Sequence, residues 1–314
     1  MHKLYIGIEL EGSSVSSALV DAEGKIIAER RDQPSEDLVA QLIEIIKAFR
    51  AQAENQVVAV GIGLPGLINL KTGRIELSPN FQHLTMVSLQ DEVLRATRLP
   101  VVVDNDANMA AYGEWLYGIA KGFNSLIYIT IGTGIGAGII LGGQMWRGSS
   151  GFAGEFGHTT VDVDGNECTC GNTGCLETVA SGPNIVRRVQ QRLYRDRTSS
   201  LSRLLIPRDQ KMSPEDVIRA ALSGDELTRV VLERTGSYIG IALGNLINLL
   251  NPELVVFGGK MMAVGEILLR PIIEETRLRS FAPSFAECRI VLSSLKDRAG
   301  VLGAAMLARD SLLA

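Results

Sequence analysis

The sequence predicts an α/β protein of two domains facing a cleft. One pattern carries most of that reading. An apolar strand, a loop, a strand, a turn and a strand run from residue 4 to 29, and the same order returns from 126 to 147, each time with helical segments behind it. The repeat is one of topology rather than of residues. The chain has 314 residues, long for one domain and comfortable for two. Its apolar share of 46% is enough to fill a large core.

Residues 4–8 form a short apolar run, read as a buried strand, and Glu9-Leu10-Glu11-Gly12-Ser13-Ser14 reads as a loop. Strands are expected at 15–20 and 25–29 around a turn at 21–24. Ser35 should cap a helix that runs to about Ala51, because Leu38, Leu42, Ile45, Ile46 and Phe49 share one helical face. A strand at 57–63 runs into Pro65-Gly66, a turn pair, and a hairpin spans 67–77. Ser88 should cap the next helix. A strand at 101–104 precedes a helix over 107–117.

In the second half, strands are expected at 126–131, 137–141 and 144–147, joined by the glycine-rich loop 132–136 and by Gly142-Gly143. A helix over 183–195 leads to a polar, weakly patterned surface connection at 196–212. Ser213-Pro214 starts a helix as cap and first-turn proline. Then come a long apolar helix at 227–250, a strand at 254–257, Gly258-Gly259, a helix near 263–278, a strand at 289–292 and a last helix at 299–313. That last helix is rich in small residues and is expected to return to the first domain. The domains are therefore drawn as 1–118 plus 296–314, and 119–295.

The densest chemistry lies between Gly151 and Glu177. One His, three Cys and two Glu share this short segment, with Cys168, Cys170 and Cys175 around a glycine turn and His158 ten positions before Cys168. Three thiolates and one imidazole make the closed tetrahedral shell of a structural zinc site. A Cys170–Cys175 disulfide, or idle thiols, are the other readings; a disulfide needs an oxidising compartment, and MHKLYIGIEL is not a signal peptide. Cys288 reads as a small buried hydrophobe. Glu155 and Glu177 bracket the cluster, so an ion there would pin a polar, acceptor-rich rim suited to a ligand with many hydroxyls.

Asp104-Asn105-Asp106 ends a strand and precedes a helix, where side chains of open α/β sheets face a ligand crevice. Asp106 is a candidate general base and Asn105 a candidate donor to a sugar hydroxyl. Helix capping is the plainer role for both. Gly132-Thr133-Gly134-Ile135-Gly136 leads into a strand, so it is neither a dinucleotide fingerprint nor a P-loop. Its backbone can still cradle a phosphate. Gly258-Gly259 can admit a nucleotide, or can simply turn the chain. The turns at Gly66 and Asn80 punctuate loops.

Composition excludes some classes. A net charge of -4 gives no electrostatic case for nucleic acid or an anionic membrane. No apolar run approaches a span of roughly twenty residues. A cytoplasmic location is expected.

Together these residues resemble the ROK family of bacterial sugar kinases and sugar-responsive repressors over essentially the whole chain. The most specific match is Cys168-Thr169-Cys170-Gly171-Asn172-Thr173-Gly174-Cys175-Leu176-Glu177, after Glu155-Phe156-Gly157-His158. Asp104-Asn105-Asp106-Ala107-Asn108 and Gly132-Thr133-Gly134-Ile135-Gly136 also match. The resemblance implies an actin-like, hexokinase-type fold with ATP and sugar in an interdomain cleft. It implies sugar contacts from Gly66, Asn80, Asn105, Asp106, Glu155, His158 and Glu177, with Asp106 taking the proton of the attacking hydroxyl. It implies zinc on His158, Cys168, Cys170 and Cys175. It implies ATP with magnesium near Glu9, Gly12, Ser13, Thr133, Gly134, Gly258 and Gly259, and assembly as a homodimer or homotetramer.

One departure stands out. The family's first phosphate loop is Asp-x-Gly-Gly-Thr; here it is Glu9-Leu10-Glu11-Gly12-Ser13. A carboxylate at 11 would stand where phosphates should pass, and like charges a few ångströms apart cost on the order of several kcal/mol. Two functions follow: an ATP-dependent hexose kinase, or a non-catalytic sugar-binding regulator with a degenerate phosphate loop. Only three residues precede the first strand, so no helix-turn-helix is expected there.

Overall fold

The computed structural model describes residues 3–78, 80–196, 198–205 and 211–313. By its contacts the chain divides into two compact units. The first comprises Met1–Tyr128, Gly138–Gly154 and Ser293–Ala314; the second comprises Ile129–Ala137 and Glu155–Leu292. The fold is α/β.

The first part of the chain forms β1 (Leu4–Glu11), β2 (Ser14–Asp21), β3 (Ile26–Asp32), α1 (Leu38–Gln52), β4 (Val57–Leu64), β5 (Leu67–Asn69), β6 (Arg74–Leu77), α2 (Leu89–Thr97), β7 (Val101–Asn105) and α3 (Asp106–Tyr117). Then follow β8 (Leu126–Ile131), β9 (Ile135–Leu141), β10 (Gln144–Met145), α4 (Glu177–Ala180), α5 (Gly182–Leu193), α6 (Pro214–Leu222), α7 (Glu226–Leu250), β11 (Leu254–Gly258), α8 (Glu266–Arg279), α9 (Ala282–Glu287), β12 (Arg289–Leu292) and α10 (Ala299–Ser311).

The repeated topology is borne out in the sheets. One sheet has the order β3-β2-β1-β4-β7 and the other β10-β9-β8-β11-β12. In the first, β2 runs antiparallel to β1 and β3, while β4 runs parallel to β1 and β7. Central strands covered on both faces read as near-continuous apolar runs, which is why 4–8 and 57–63 were legible as strands.

Several local expectations change. Residues 9–14 are not a loop: β1 continues through Glu11, Glu9 pairs with Ser16, and Glu11 pairs with Ser14. The reason is inward alternation, since Ile6, Ile8 and Leu10 are all fully buried and the strand has no cause to stop at Glu9. Only Gly12-Ser13 remain as the turn. Helix α1 is capped by Asp37, not Ser35, because the Asp37 carboxylate accepts the Ala40 amide at 2.9 Å. Ser88 occupies the cap position of α2 but donates its hydroxyl to Asp91 instead. The short helix α9 had no sequence signal. Within 196–212, Ser200–Leu205 forms a 3-10 turn, while 197 and 206–210 lie outside the described residues.

Helix α10 closes the first unit against β1 and β4 through Val301, Leu302, Ala305 and Met306. Glycines of the strands allow the helix to approach closely: a Cβ on Gly7 would stand 1.8 Å from the Val301 carbonyl oxygen, and one on Gly61 would stand 1.9 Å from that of Ala304. The start of α10 is fastened by Glu114, which is fully buried on α3. Its carboxylate accepts the Ser293 hydroxyl at 2.5 Å, the Ser294 hydroxyl at 3.1 Å, the Leu295 amide at 2.8 Å and the Ile119 amide at 2.9 Å. Glu114→Ala would orphan all four donors at about 1–3 kcal/mol each where burial persists. We expect a loss of at least about 3 kcal/mol in urea unfolding of the variant. A loss under 1 kcal/mol would show that water replaces the carboxylate.

Candidate active site

In the first unit, β1, β4 and β7 end at one edge of the sheet. Glu9 pairs with Gly63, and Gly63 with Asp104, so Glu9, Gly66, Asn105 and Asp106 sit at or just beyond that row. This is the carboxyl end of the parallel strands, where open α/β sheets take their ligands.

Asp106 is the first residue of α3 and half-buried. Its carboxylate accepts the Ala107 amide at 3.0 Å. Burial pushes its pKa up to about 6; the Ala107 amide opposes this and the charge of Glu11 adds to it. A carboxyl so placed can accept a proton near neutral pH. Asn105 is the N-cap of α3, its side-chain oxygen accepting the Ala107 and Asn108 amides and its Nδ2 donating to the Gly66 carbonyl at 3.2 Å. Capping is thus what the structure shows for Asn105. Gly66 has φ +127°, and a Cβ there would lie 2.1 Å from the Leu77 carbonyl, so no other residue fits the turn. Asn80 is exposed just beyond β6, and its neighbour Pro79 lies outside the described residues.

Sequence reasoning missed the pair beneath this edge. Asp104 is buried, its Oδ2 accepting Arg147 Nε at 2.6 Å and its Oδ1 accepting the Asn105 amide and Asn108 Nδ2. The pair fixes the point where β7 becomes α3, and so sets the start of the helix that carries Asp106.

The first phosphate loop of the family is a strand hairpin here, and Glu11 is not bare. Its Oε2 accepts Arg31 Nη2 at 3.0 Å and the Ser14 hydroxyl at 2.8 Å. Glu9 turns inward, and a Cβ on Gly300 would lie 2.1 Å from its carboxyl carbon. The longer acid is accommodated because residue 300 is glycine. Burial, then the charges of Glu11, Asp106 and Asp297, hold the Glu9 carboxyl well above the usual carboxylate range, with Arg31 opposing.

In the second unit, His158, Cys168, Cys170 and Cys175 converge, their ligand atoms all within 4.8 Å of one another. Cys170 Sγ stands 3.7 Å from Cys175 Sγ, and Cys168 Sγ stands 3.6 Å from His158 Nδ1. A tetrahedral zinc with bonds of about 2.3 Å to sulfur and about 2.05 Å to nitrogen requires edges of about 3.8 and 3.6 Å. A disulfide requires about 2.05 Å. The four residues therefore fit zinc, and all four cysteines are free thiols. The other face of the His158 ring turns to Glu155, with Nε2 3.9 Å from a carboxylate oxygen.

Glu177 does something the sequence did not suggest. Its Oε2 accepts the Ile135 amide at 2.7 Å, and it lies where a Cβ on Gly134 would fall, at 2.6 Å. Glu177 thus braces the Gly132–Gly134 loop, whose tip, Thr133, is exposed. The Gly132 carbonyl is held from below by the Gly182 amide at 2.8 Å. Gly259, with φ +84°, presses on the end of β8, where a Cβ would come within 2.6 Å of the Ile131 amide nitrogen. Glu177→Ala should loosen the loop by about 1.5–3 kcal/mol, the worth of a hydrogen bond to a charged group, and Glu177→Gln should restore most of it. Amide exchange at Ile135 reads this directly; equal protection in all three proteins would contradict it.

The chain is 34% identical to a xylose repressor of Caldicellulosiruptor bescii, over 98% of this chain and 78% of the repressor. It is 34% identical to a glucokinase of Thermotoga maritima, over 97% of both chains. Among solved structures, the ROK glucokinase of Streptomyces griseus in complex with glucose and AMPPNP superposes with a TM-score of 0.87 at 33% identity, covering 98% of this chain and 99% of the other. A profile of the ROK family matches residues 5–311, so that a kinase and a repressor meet in one scaffold and this chain belongs to the ROK family.

Proposed function

We propose that the chain is a hexose kinase that transfers the γ-phosphoryl group of ATP to a sugar hydroxyl, with Asp106 as general base. The single observation that carries this is Asp106 itself: a half-buried carboxyl at the strand-end edge, on the first turn of α3, with its pKa pushed up to about 6. Support comes from the glucokinases among the relatives and from the intact zinc ligand set.

In this reading Gly66, Asn80, Asn105, Glu155, His158 and Glu177 orient the sugar. Asp106 receives the proton as the hydroxyl oxygen attacks phosphorus. The backbone of Thr133 and Gly134 holds phosphate oxygens, and Gly258 and Gly259 admit the adenosine. Gly12 and Ser13 supply the turn of the first hairpin, and Glu9 would help hold the magnesium that accompanies ATP. ATP with magnesium supplies the phosphoryl group and part of the charge neutralisation; the chain supplies position and the base.

The regulator reading draws on Glu9 and Glu11. The Arg31 pairing weakens it, because the Glu11 charge is met before any phosphate arrives. A coupled phosphorylation assay with ATP and magnesium across glucose, mannose and N-acetylated hexosamines decides between them. Turnover on one sugar supports the kinase. Tight sugar binding with no turnover on any would support the regulator.

A further inference from the structure

Away from these residues, the second unit contains a cavity of about 910 Å³ between the end of α5 and the first turns of α7. This lies within the range of small-molecule sites, roughly 300–1,000 Å³. Arg188, Arg192 and Arg195 stand along one side at helical spacing, and Glu226, Leu227 and Val230 form the other. None of the residues assigned above to sugar, ATP or zinc lines it.

The described arginines of this chain divide into those that are paired with a carboxylate and those that are not. Arg30, Arg147, Arg279, Arg298 and Arg309 each meet a carboxylate. Among the described residues, the side chains of Arg192 and Arg195 meet none. Arg188 is anchored instead on neutral groups: it donates to the Val179 carbonyl at 3.0 Å and to the Thr235 hydroxyl at 2.8 Å, and lies 5.5 Å from the centre of the Tyr238 ring. Burial lowers its pKa, Tyr238 opposes, and the charges of Arg234, Arg192 and Arg187 lower it further. Positive charge is thus concentrated beside a cavity, on a chain whose net charge is -4. Guanidinium forks match the oxygens of a phosphate.

The remaining lining narrows the ligand. Glu226 and Asp196 also line the cavity and would repel a bare polyanion, but carboxylates accept hydroxyl groups, as Asp196 does from Thr198 at 2.6 Å. Leu227 and Val230 offer an apolar floor, and the Tyr194 ring, 71% exposed, offers a flat face for the C–H side of a sugar ring. We propose that this cavity is a second ligand site that binds a small phosphorylated sugar or polyol, with the phosphate on Arg192 and Arg195 and the hydroxyls toward Glu226 and Asp196.

The test is calorimetric titration of the full chain with glucose 6-phosphate, in the presence and absence of excess glucose, and with inorganic phosphate. The expected result is a binding event that survives excess glucose and Asp106→Asn, weakens with salt, and loses at least tenfold in affinity in R192A/R195A. That double variant should phosphorylate sugar at the normal rate when no phosphosugar is added, which separates this site from the kinase reading. R192K/R195K, keeping charge without the fork, should fall between. Identical isotherms for wild type and R192A/R195A would overturn the proposal. So would binding abolished by excess glucose, which would place the phosphosugar at the sugar site alone. Inorganic phosphate binding as tightly as glucose 6-phosphate would overturn the assignment of the hydroxyl-binding rim.

Discussion

Asp106→Asn should reduce sugar phosphorylation by roughly two to four orders of magnitude while leaving sugar affinity nearly unchanged. The substitution keeps size and the amide contact to Ala107 but removes the basic oxygen. General base catalysis is commonly worth about 10²–10⁴ in rate. The pH profile carries the sharper signature. A base works in its deprotonated form, and burial has pushed the Asp106 carboxyl up to about 6. Turnover by the wild type should therefore rise about tenfold per pH unit below 6 and level off above it. The Asn variant should lose that limb entirely. Since the charge of Glu11 contributes to the shift, Glu11→Gln should move the limb to lower pH. If Asp106→Asn turns over at a near-wild-type rate, Asp106 is only the acidic residue that complements the α3 dipole.

What the sequence made legible was local. The cluster of His158, Cys168, Cys170 and Cys175 could be read because a metal shell needs particular residue types, and three of the four fall within eight positions, from Cys168 to Cys175. The placement of Asp106 could be read because a strand end and a helix start adjoin it. The doubled sheet could be read because each half repeats its own apolar runs. What stayed hidden was long-range pairing between polar side chains. Arg31 reaches Glu11 across 20 positions, Glu177 reaches the Ile135 amide across 42, and Arg147 reaches Asp104 across 43. No period or motif announces such contacts, because they depend on register and topology. The Arg31 partner of Glu11 stayed hidden for this reason, and its place in a strand for a second: a strand that buries Ile8 and Leu10 continues past Glu9 whatever its polar residues suggest.

Those hidden contacts change what removing the zinc should do. The purified chain should carry one zinc, and stripping it should cost more than a loose surface loop. Zinc binding to small finger peptides is worth about 10–16 kcal/mol in apparent free energy, and it is coupled to the order of the ligating segment. Here Cys175 is fully buried and forms a bridge with Thr160, and the Leu176 amide donates to the Thr159 carbonyl at 2.9 Å. The next residue is Glu177, whose carboxylate holds the Ile135 amide and the Gly132–Gly134 loop. Gly157, one position before His158, packs on the Ile135 carbonyl, where a Cβ would lie at 2.3 Å. Without the ion, three thiols and an imidazole lose their common partner, and both ends of the brace on Ile135 are freed. Chelation, or Cys168→Ala with Cys175→Ala, should lower the melting temperature, open residues 159–176 to proteolysis and raise amide exchange at Ile135. Phosphorylation should fall by more than tenfold, with weaker ATP binding as well as weaker sugar binding. The residual activity should keep the limb near pH 6, since Asp106 and Arg147–Asp104 belong to the other unit. Metal analysis, exchange and a pH series on the same preparation test the chain of effects. A zinc-free protein with unchanged Ile135 protection and full turnover would show that the four ligands are ornament to a loop that folds without them.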